Sequence, residues 1–186
     1  MALLKDNEER LITGEELLRY PDLGPCELVD GRIVPLTPMR PEHGEVELDL
    51  GSELRAWARS SGRGRAFSGD VGIYVRRNPD TVRAADLIYI SNERFAQRGT
   101  SGYLSVAPEL VVEVLSPTDR KGDIVTKIKD YLSVGVDRVW IVDSKRQCIF
   151  AYRSDTEVQQ FKVGDVLRDE ELLPGFHLPI ADLFRD

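Results

Sequence analysis

The sequence predicts an α/β (α+β) fold, a central β-sheet with packed helices, entered through an N-terminal helix and a β-hairpin. Two observations carry the class. The apolar run Leu110–Leu115, set between Pro108 and Pro117, reads as a buried strand, and Arg138–Asp143 reads as another. Between them, Ile124, Ile128, Tyr131 and Leu132 recur at helical spacing, so the three segments make a βαβ unit with parallel strands and a right-handed crossover. A third observation adds the hairpin: Asp30-Gly31 stands between Glu27-Leu28-Val29 and Arg32-Ile33-Val34, a two-residue turn between apolar runs.

The remaining elements follow in chain order. Thr13 with Glu16 matches a capping box, so a short helix carries Leu17 and Leu18 and stops before Pro21. Val46, Leu50, Leu54 and Trp57 form one apolar stripe and predict a helix from Pro41 to about Ser60, closed by Gly62-Arg63-Gly64. Val71–Val75 reads as a strand, Asn78-Pro79-Asp80 as a turn, and Ala84–Ile90 as the next strand. A short helix near Asn92 and a glycine-bearing loop lead to the central strand. The crossover helix is expected from about Asp119 to Val134, stopped by Gly135. Two more strands fall near Ile149–Tyr152 and Val158–Val163, and Ile180–Phe184 packs the end of the chain. No repeat, low-complexity stretch or linker divides residues 1–186, which read as one domain.

Composition narrows the function classes. Of the 186 residues, 41% are hydrophobic and 31% charged, as in a soluble globular protein, and no apolar stretch is long enough to cross a bilayer. The first residues lack a signal-peptide core, and Cys26 and Cys148 stand far apart, which reads as reduced thiols in a cytoplasmic protein. The net charge of −7 argues against a general nucleic-acid binder. The distribution is uneven, however: Arg55 to Arg83 contains seven arginines against Asp70 and Asp80. That segment is either a solvated arginine-rich hairpin or a surface that meets phosphates.

Two acids sit in strands that are otherwise apolar. Glu113 lies between Val111-Val112 and Val114-Leu115, and Asp86 lies between Ala84-Ala85 and Leu87-Ile88. A buried carboxylate must protonate or find a cation, so each of these either belongs to a structural ion pair or to a site. Two carboxylates brought together on adjacent strands repel unless a cation sits between them, and oxygen ligands suit Mg²⁺ or Mn²⁺. With only His43 and His177 in the chain, a histidine-rich zinc site is disfavoured. The crossover helix offers Lys127 and Lys129 beside its apolar stripe, and helical geometry does not choose between them.

The ordered set Pro108-Glu-Leu-Val-Val-Glu113-Val-Leu-Ser116-Pro117, Asp123-x-x-x-Lys127-x-x-x-Tyr131 and Gly135-Val136-x-x-x-Trp140-Ile-Val-Asp143 resembles the Uma-two family of bacterial restriction endonucleases, which are similar to PD-(D/E)XK nucleases. Arg83-x-x-Asp86, the Asp30-Gly31 hairpin, the Pro-x-His43 helix start and Leu-Pro174-Gly-Phe176 extend the resemblance over nearly the whole chain, although Ala85 replaces the usual proline before the aspartate. The resemblance implies a restriction-endonuclease-like core, a mixed sheet with helices on both faces. It implies Asp86 and Glu113 as metal ligands, joined by the backbone carbonyl of Val114. The superfamily's strand lysine falls on Leu115 here, and the family's helix lysine on Lys127, which selects Lys127 over Lys129 as the third catalytic residue. The reaction implied is hydrolysis of a DNA phosphodiester by a Mg²⁺- or Mn²⁺-dependent endonuclease, acting as a homodimer and reaching DNA through the Arg55–Arg83 region. The competing reading is a silent member of the fold serving as a binding or scaffold module. A Ser116 nucleophile has no G-x-S-x-G elbow to support it.

Overall fold

The computed structural model describes residues 10–99, 102–117 and 119–184. Thr13 caps helix α1 (Gly14–Leu17): its hydroxyl accepts from the Glu16 amide, and the Glu16 side chain accepts from the Thr13 amide in return. Strands β1 (Cys26–Val29) and β2 (Arg32–Pro35) form the hairpin, with Asp30 and Gly31 both at positive φ, as a type I′ turn demands. Helix α2 (Pro41–Ser61) starts on Pro41 and ends where Gly62 adopts the left-handed conformation and returns its N–H to Ala58.

Strand β3 (Gly64–Arg76) begins seven residues earlier than the alternation predicts. The cause is a bulge: the register with strand β4 (Thr81–Ser91) shifts between Ser68 and Val71, where Gly69 and Asp70 both take positive φ. The one extra residue, two on β3 facing Asp86 alone on β4, breaks the period-two pattern that marks a strand in sequence. Helix α3 (Asn92–Ala96), strand β5 (Leu110–Val114), helix α4 (Lys121–Ser133) and strand β6 (Arg138–Asp143) follow. Helix α4 starts two residues later than expected because the Asp119 carboxylate accepts from the Ser116 amide and so belongs to the entering turn. Strands β7 (Cys148–Tyr152) and β8 (Val158–Lys162) complete the meander, and β9 (Val166–Leu167) pairs with β10 (Leu178–Pro179) before helix α5 (Ile180–Leu183).

The main sheet runs β2-β1-β4-β5-β6-β7-β8, with β3 also paired to β4. All pairings are antiparallel except β5 with β6, which α4 connects as the βαβ unit. Both faces are covered. Leu50, Leu54 and Trp57 of α2 pack on Leu87, Tyr89, Val112, Val114 and Val142, and the tail residues Phe176 and Ile180 close that layer. Ile128 and Tyr131 of α4 pack on Ile88, Val111, Val139 and Ile141. Double coverage is why β5 and β6 are buried at every position and read as unbroken apolar runs.

One edge of β4 changes neighbours along its length. Val82 pairs with Leu28 of β1, whereas Leu87, Ile88 and Tyr89 pair with Val112, Val111 and Leu110 of β5. Between them the sheet forks, and every buried amide there needs another acceptor.

Trp57 fixes α2 to the tail: its Nε1–H donates to the Pro174 carbonyl at 3.0 Å, and its ring meets Tyr89 and Phe176 edge-on. Trp57→Ala is expected to cost about 3–5 kcal/mol, and Trp57→Phe less than half of that. Both are read as a lowered urea midpoint at unchanged slope.

Candidate metal centre at the fork of the sheet

The fork is lined with acids that take over as acceptors. Glu27 Oε1 of β1 accepts from the Ala84 amide at 3.2 Å, and Asp86 Oδ2 of β4 accepts from the Val114 amide at 2.6 Å. Ala85 and Leu87 belong to opposite faces of the sheet, so the alternation of β4 breaks at Asp86, opposite the Gly69-Asp70 bulge. The break lets the Asp86 carboxylate turn toward α2 while Glu113, on the neighbouring strand, faces α4.

On the α4 side the acids are neutralised. Tyr131 donates its hydroxyl to Glu113 Oε1 at 2.6 Å, and Lys127 Nζ lies 2.9 Å from Glu113 Oε2 and 3.1 Å from Glu27 Oε1. Arg83 bridges Glu27 at 2.8 Å and Asp130 at 2.7 Å. Burial still pushes the Glu113 carboxyl up to about 7, with Lys127 opposing and Asp86 adding to the rise. Burial pulls Lys127 down, but the Glu113 and Glu27 carboxylates more than offset it and hold the ammonium charged.

On the α2 side they are not. His43 and Glu47 stand one turn apart on α2 and converge with Asp86, so that one ligand atom from each lies within 4.8 Å of the others. His43 Nε2 is 3.5 Å from Asp86 Oδ2, too long for a good hydrogen bond, and both ring nitrogens are buried without a hydrogen-bond partner. Asp86 nonetheless draws the imidazole pKa upward, against burial. Glu47 accepts from the Gly69 amide at 3.2 Å, and its carboxyl is raised by burial and by Asp86. Asp70, in the bulge, is raised too, by burial and by Asp86. Among the described residues, no lysine or arginine forms an ion pair with Glu47, Asp70 or Asp86.

The structure therefore divides the residues singled out in the sequence. Asp86 meets His43 and Glu47, while Glu113 meets Lys127 and Tyr131; the two halves join through the contact between Asp86 and the Val114 amide. Lys127 reaches the fork, and Lys129 is exposed. His177 pairs with Glu170 at the surface, away from the fork. Glu47 and Asp70 escaped sequence reasoning. Glu47 had a signal: His43, Glu47, Leu50 and Leu54 share one helical stripe, and an acid in an apolar stripe needs a reason. Asp70 had a weaker one, the Gly-Asp dipeptide inside a strand.

The arginine-rich segment is also divided. Arg83 is buried in its ion pairs, Arg76 pairs with Asp30, and Arg77 pairs with Glu15 and lies over the Tyr74 ring. Arg55, Arg59, Arg63 and Arg65 stay exposed on α2, the turn after it and the start of β3.

Among solved structures, the chain is similar to the crystal structure of "a putative nuclease belonging to DUF820 from Anabaena variabilis ATCC 29413". That match has a TM-score of 0.77 and 23% sequence identity, and covers 93% of this chain and 97% of that one; it establishes the fold. None of the curated proteins matches. A family model described as "Putative restriction endonuclease", Uma2, matches residues 15–181, which include the hairpin, the fork and the βαβ unit. With that match spanning almost the whole sequence, the chain belongs to the Uma2 family.

Proposed function

We propose that the protein is a metal-dependent endonuclease that hydrolyses DNA phosphodiesters at the fork of the sheet. The observation that carries this reading is the α2 side of the fork: Glu47, Asp70 and Asp86 repel one another, and a half-buried histidine stands beside them with neither of its buried ring nitrogens hydrogen-bonded. A divalent cation fits that donor set. Asp86 and Glu47 would hold it, with His43 as a nitrogen ligand; Glu113 and the Val114 carbonyl would join from β5 once Glu113 turns from Tyr131 and Lys127 toward α2. Carboxylates suit Mg²⁺ and Mn²⁺, and the imidazole tilts the preference toward Mn²⁺. When bound, the cation would polarise the phosphate and acidify a water.

The chain's own residues supply the rest. Lys127, held charged between two carboxylates, offers an ammonium to the negative charge that grows on the phosphate. Tyr131 holds Glu113 by one oxygen and thereby fixes the other toward Lys127. Arg83 anchors Glu27, which positions Lys127 from the opposite side. The exposed arginines of α2 and β3 would meet the DNA backbone. A second copy of the chain, as a symmetric homodimer, would allow both strands to be cut, and light scattering should give twice the chain mass of 21.0 kDa.

Calorimetry with Mn²⁺ and Mg²⁺, followed by plasmid nicking on the same samples, tests the site. Wild type should bind Mn²⁺ more tightly than Mg²⁺. Asp86→Asn should lose binding, and His43→Ala should narrow the gap between the metals. Lys127→Met should keep metal binding but lose about 10²–10³-fold in nicking rate. Absence of metal binding by wild type would make these acids structural and return the protein to a scaffold role.

The pH dependence has a definite sign. Metal ligands must be ionised, and Glu113 is protonated below about 7. Affinity should therefore fall as pH drops below 7, and binding near pH 6 should release protons, seen as a buffer-dependent binding enthalpy. Stability of the metal-free protein runs the other way. A carboxyl raised from 4.5 to about 7 favours the folded state at low pH, and that contribution is lost as pH rises from 4.5 through 7. Glu113→Gln should flatten both profiles.

A further inference from the structure

We infer that the protein carries a stacking site for an unpaired base of single-stranded nucleic acid, built by Phe67, Phe95, Arg65 and Arg98 at β3 and the end of α3. The inference rests on the nuclease reading for its choice of ligand. Its observations lie outside the acid cluster.

Phe67 and Phe95 stack nearly parallel, with centroids 5.6 Å apart and planes 24° apart. Phe67 is 37% exposed, an uncommon position for a large apolar ring on a strand. The guanidinium carbons of Arg65 and Arg98 lie 4.3 Å and 3.5 Å from the Phe95 centroid. Arg98 is further fixed by donating to the Phe95 carbonyl at 2.7 Å. Among the described residues, no carboxylate pairs with either arginine, in contrast to Arg76, Arg77 and Arg83 of the same basic stretch. Beside the rings opens a cavity of about 320 Å³, at the small end of the range that holds small ligands. Ile88, Tyr103 and Leu104 also line it, and Gly72 lets the Tyr103 ring pack against β3, since a Cβ there would strike that ring at 2.1 Å.

These features match a nucleotide in three respects. A flat, partly open aromatic surface accepts any base face. Two guanidiniums that pair with no carboxylate among the described residues lie against the adjoining Phe95 ring and offer positive charge to a backbone phosphate. The cavity is larger than a ring stack needs and has both polar and apolar walls. Base-paired DNA cannot present a base face to such a surface, so the site selects an unpaired strand. Phe67 pairs with Ile88 and so lies on the α4 face of the sheet, the face that carries Glu113 and Lys127.

The test is fluorescence anisotropy in EDTA at low salt, with a labelled single-stranded 20-mer and its blunt duplex. A second strand carrying one 2-aminopurine reports stacking directly by quenching. Wild type should prefer the single strand and quench the 2-aminopurine. Phe67→Leu keeps the apolar bulk and removes the aromatic face; it should weaken single-strand binding by about 5- to 150-fold with an unchanged melting temperature. Phe67→Trp should restore binding, and Arg98→Gln should weaken it and reduce its salt dependence. Equal binding of duplex and single strand, or a Phe67→Leu protein that binds and quenches as wild type does, would overturn the proposal and leave the ring pair as packing under two arginine side chains. The assay contains no metal, so its failure is separable from that of the nuclease reading. A protein that stacks the base yet never nicks DNA with Mn²⁺ would refute only the latter.

Discussion

The structure depends on a gap in backbone pairing. Strand β4 is shared between β1 and β5, and at the point of exchange neither neighbour can supply a ladder partner. Carboxylates supply it instead: Glu27 takes the Ala84 amide, and Asp86 takes the Val114 amide. Each acid thus does a structural task with one oxygen: Glu27 gives its other to Arg83, while Asp86 Oδ2, which takes the Val114 amide, also faces His43. This explains how carboxylates can sit at the centre of a sheet whose neighbouring positions are uniformly apolar. Their burial is compensated by charge-assisted hydrogen bonds to backbone that would otherwise go unsatisfied.

The gap is electrostatically lopsided. Toward α4, acids and bases alternate as Asp130, Arg83, Glu27, Lys127 and Glu113, ending on the Tyr131 hydroxyl. A network satisfied at each step is rigid and resists removal of any one member. Toward α2, two carboxylates, Glu47 and Asp86, meet one imidazole with Asp70 nearby, and among the described residues no lysine or arginine forms an ion pair with any of the three acids. The raised carboxyls of Glu47 and Asp70, each pushed up by burial first and by Asp86 second, are the energetic mark of that shortage. Rigid order on one side and unmet charge on the other is the arrangement expected of a site that receives a cation and holds its ligands still in the meantime.

Much of this was legible in the sequence, and the exceptions have a common cause. The capping box at Thr13, the Asp30-Gly31 turn, the α2 stripe and the βαβ unit are local patterns, and each forms where its period predicts. Asp86 and Glu113 were visible because burial makes an acid conspicuous among valines. What local pattern could not reveal was facing. The register alone would set Asp86 opposite Glu113, yet the break in β4 sends the two carboxylates to different helices. That break depends on the Gly69-Asp70 bulge in a third strand, far from either acid in sequence. The arginines were misjudged for the same reason: Arg83 reads as a surface charge until β1 brings Glu27 beside it and α4 brings Asp130.

Leu115 shows why a relocated lysine is physically workable. Residue 115 lies two positions after Glu113, so by strand alternation it faces the same layer, and Leu115 indeed packs among the α4-side residues. A lysine there would have approached Glu113 from within the strand. Lys127 approaches from the helix that covers that face and brings its ammonium to 2.9 Å. The charge occupies the same layer while the backbone that carries it has changed. The exchange has a consequence. A strand lysine is held by the sheet, whereas Lys127 is held by the seat of α4, which in turn rests on Tyr131 and Ile128 against the sheet and on Arg83 bonding Asp130. The position of the ammonium is therefore tied to the packing of one helix, and Glu27 provides the second anchor that such a tether requires.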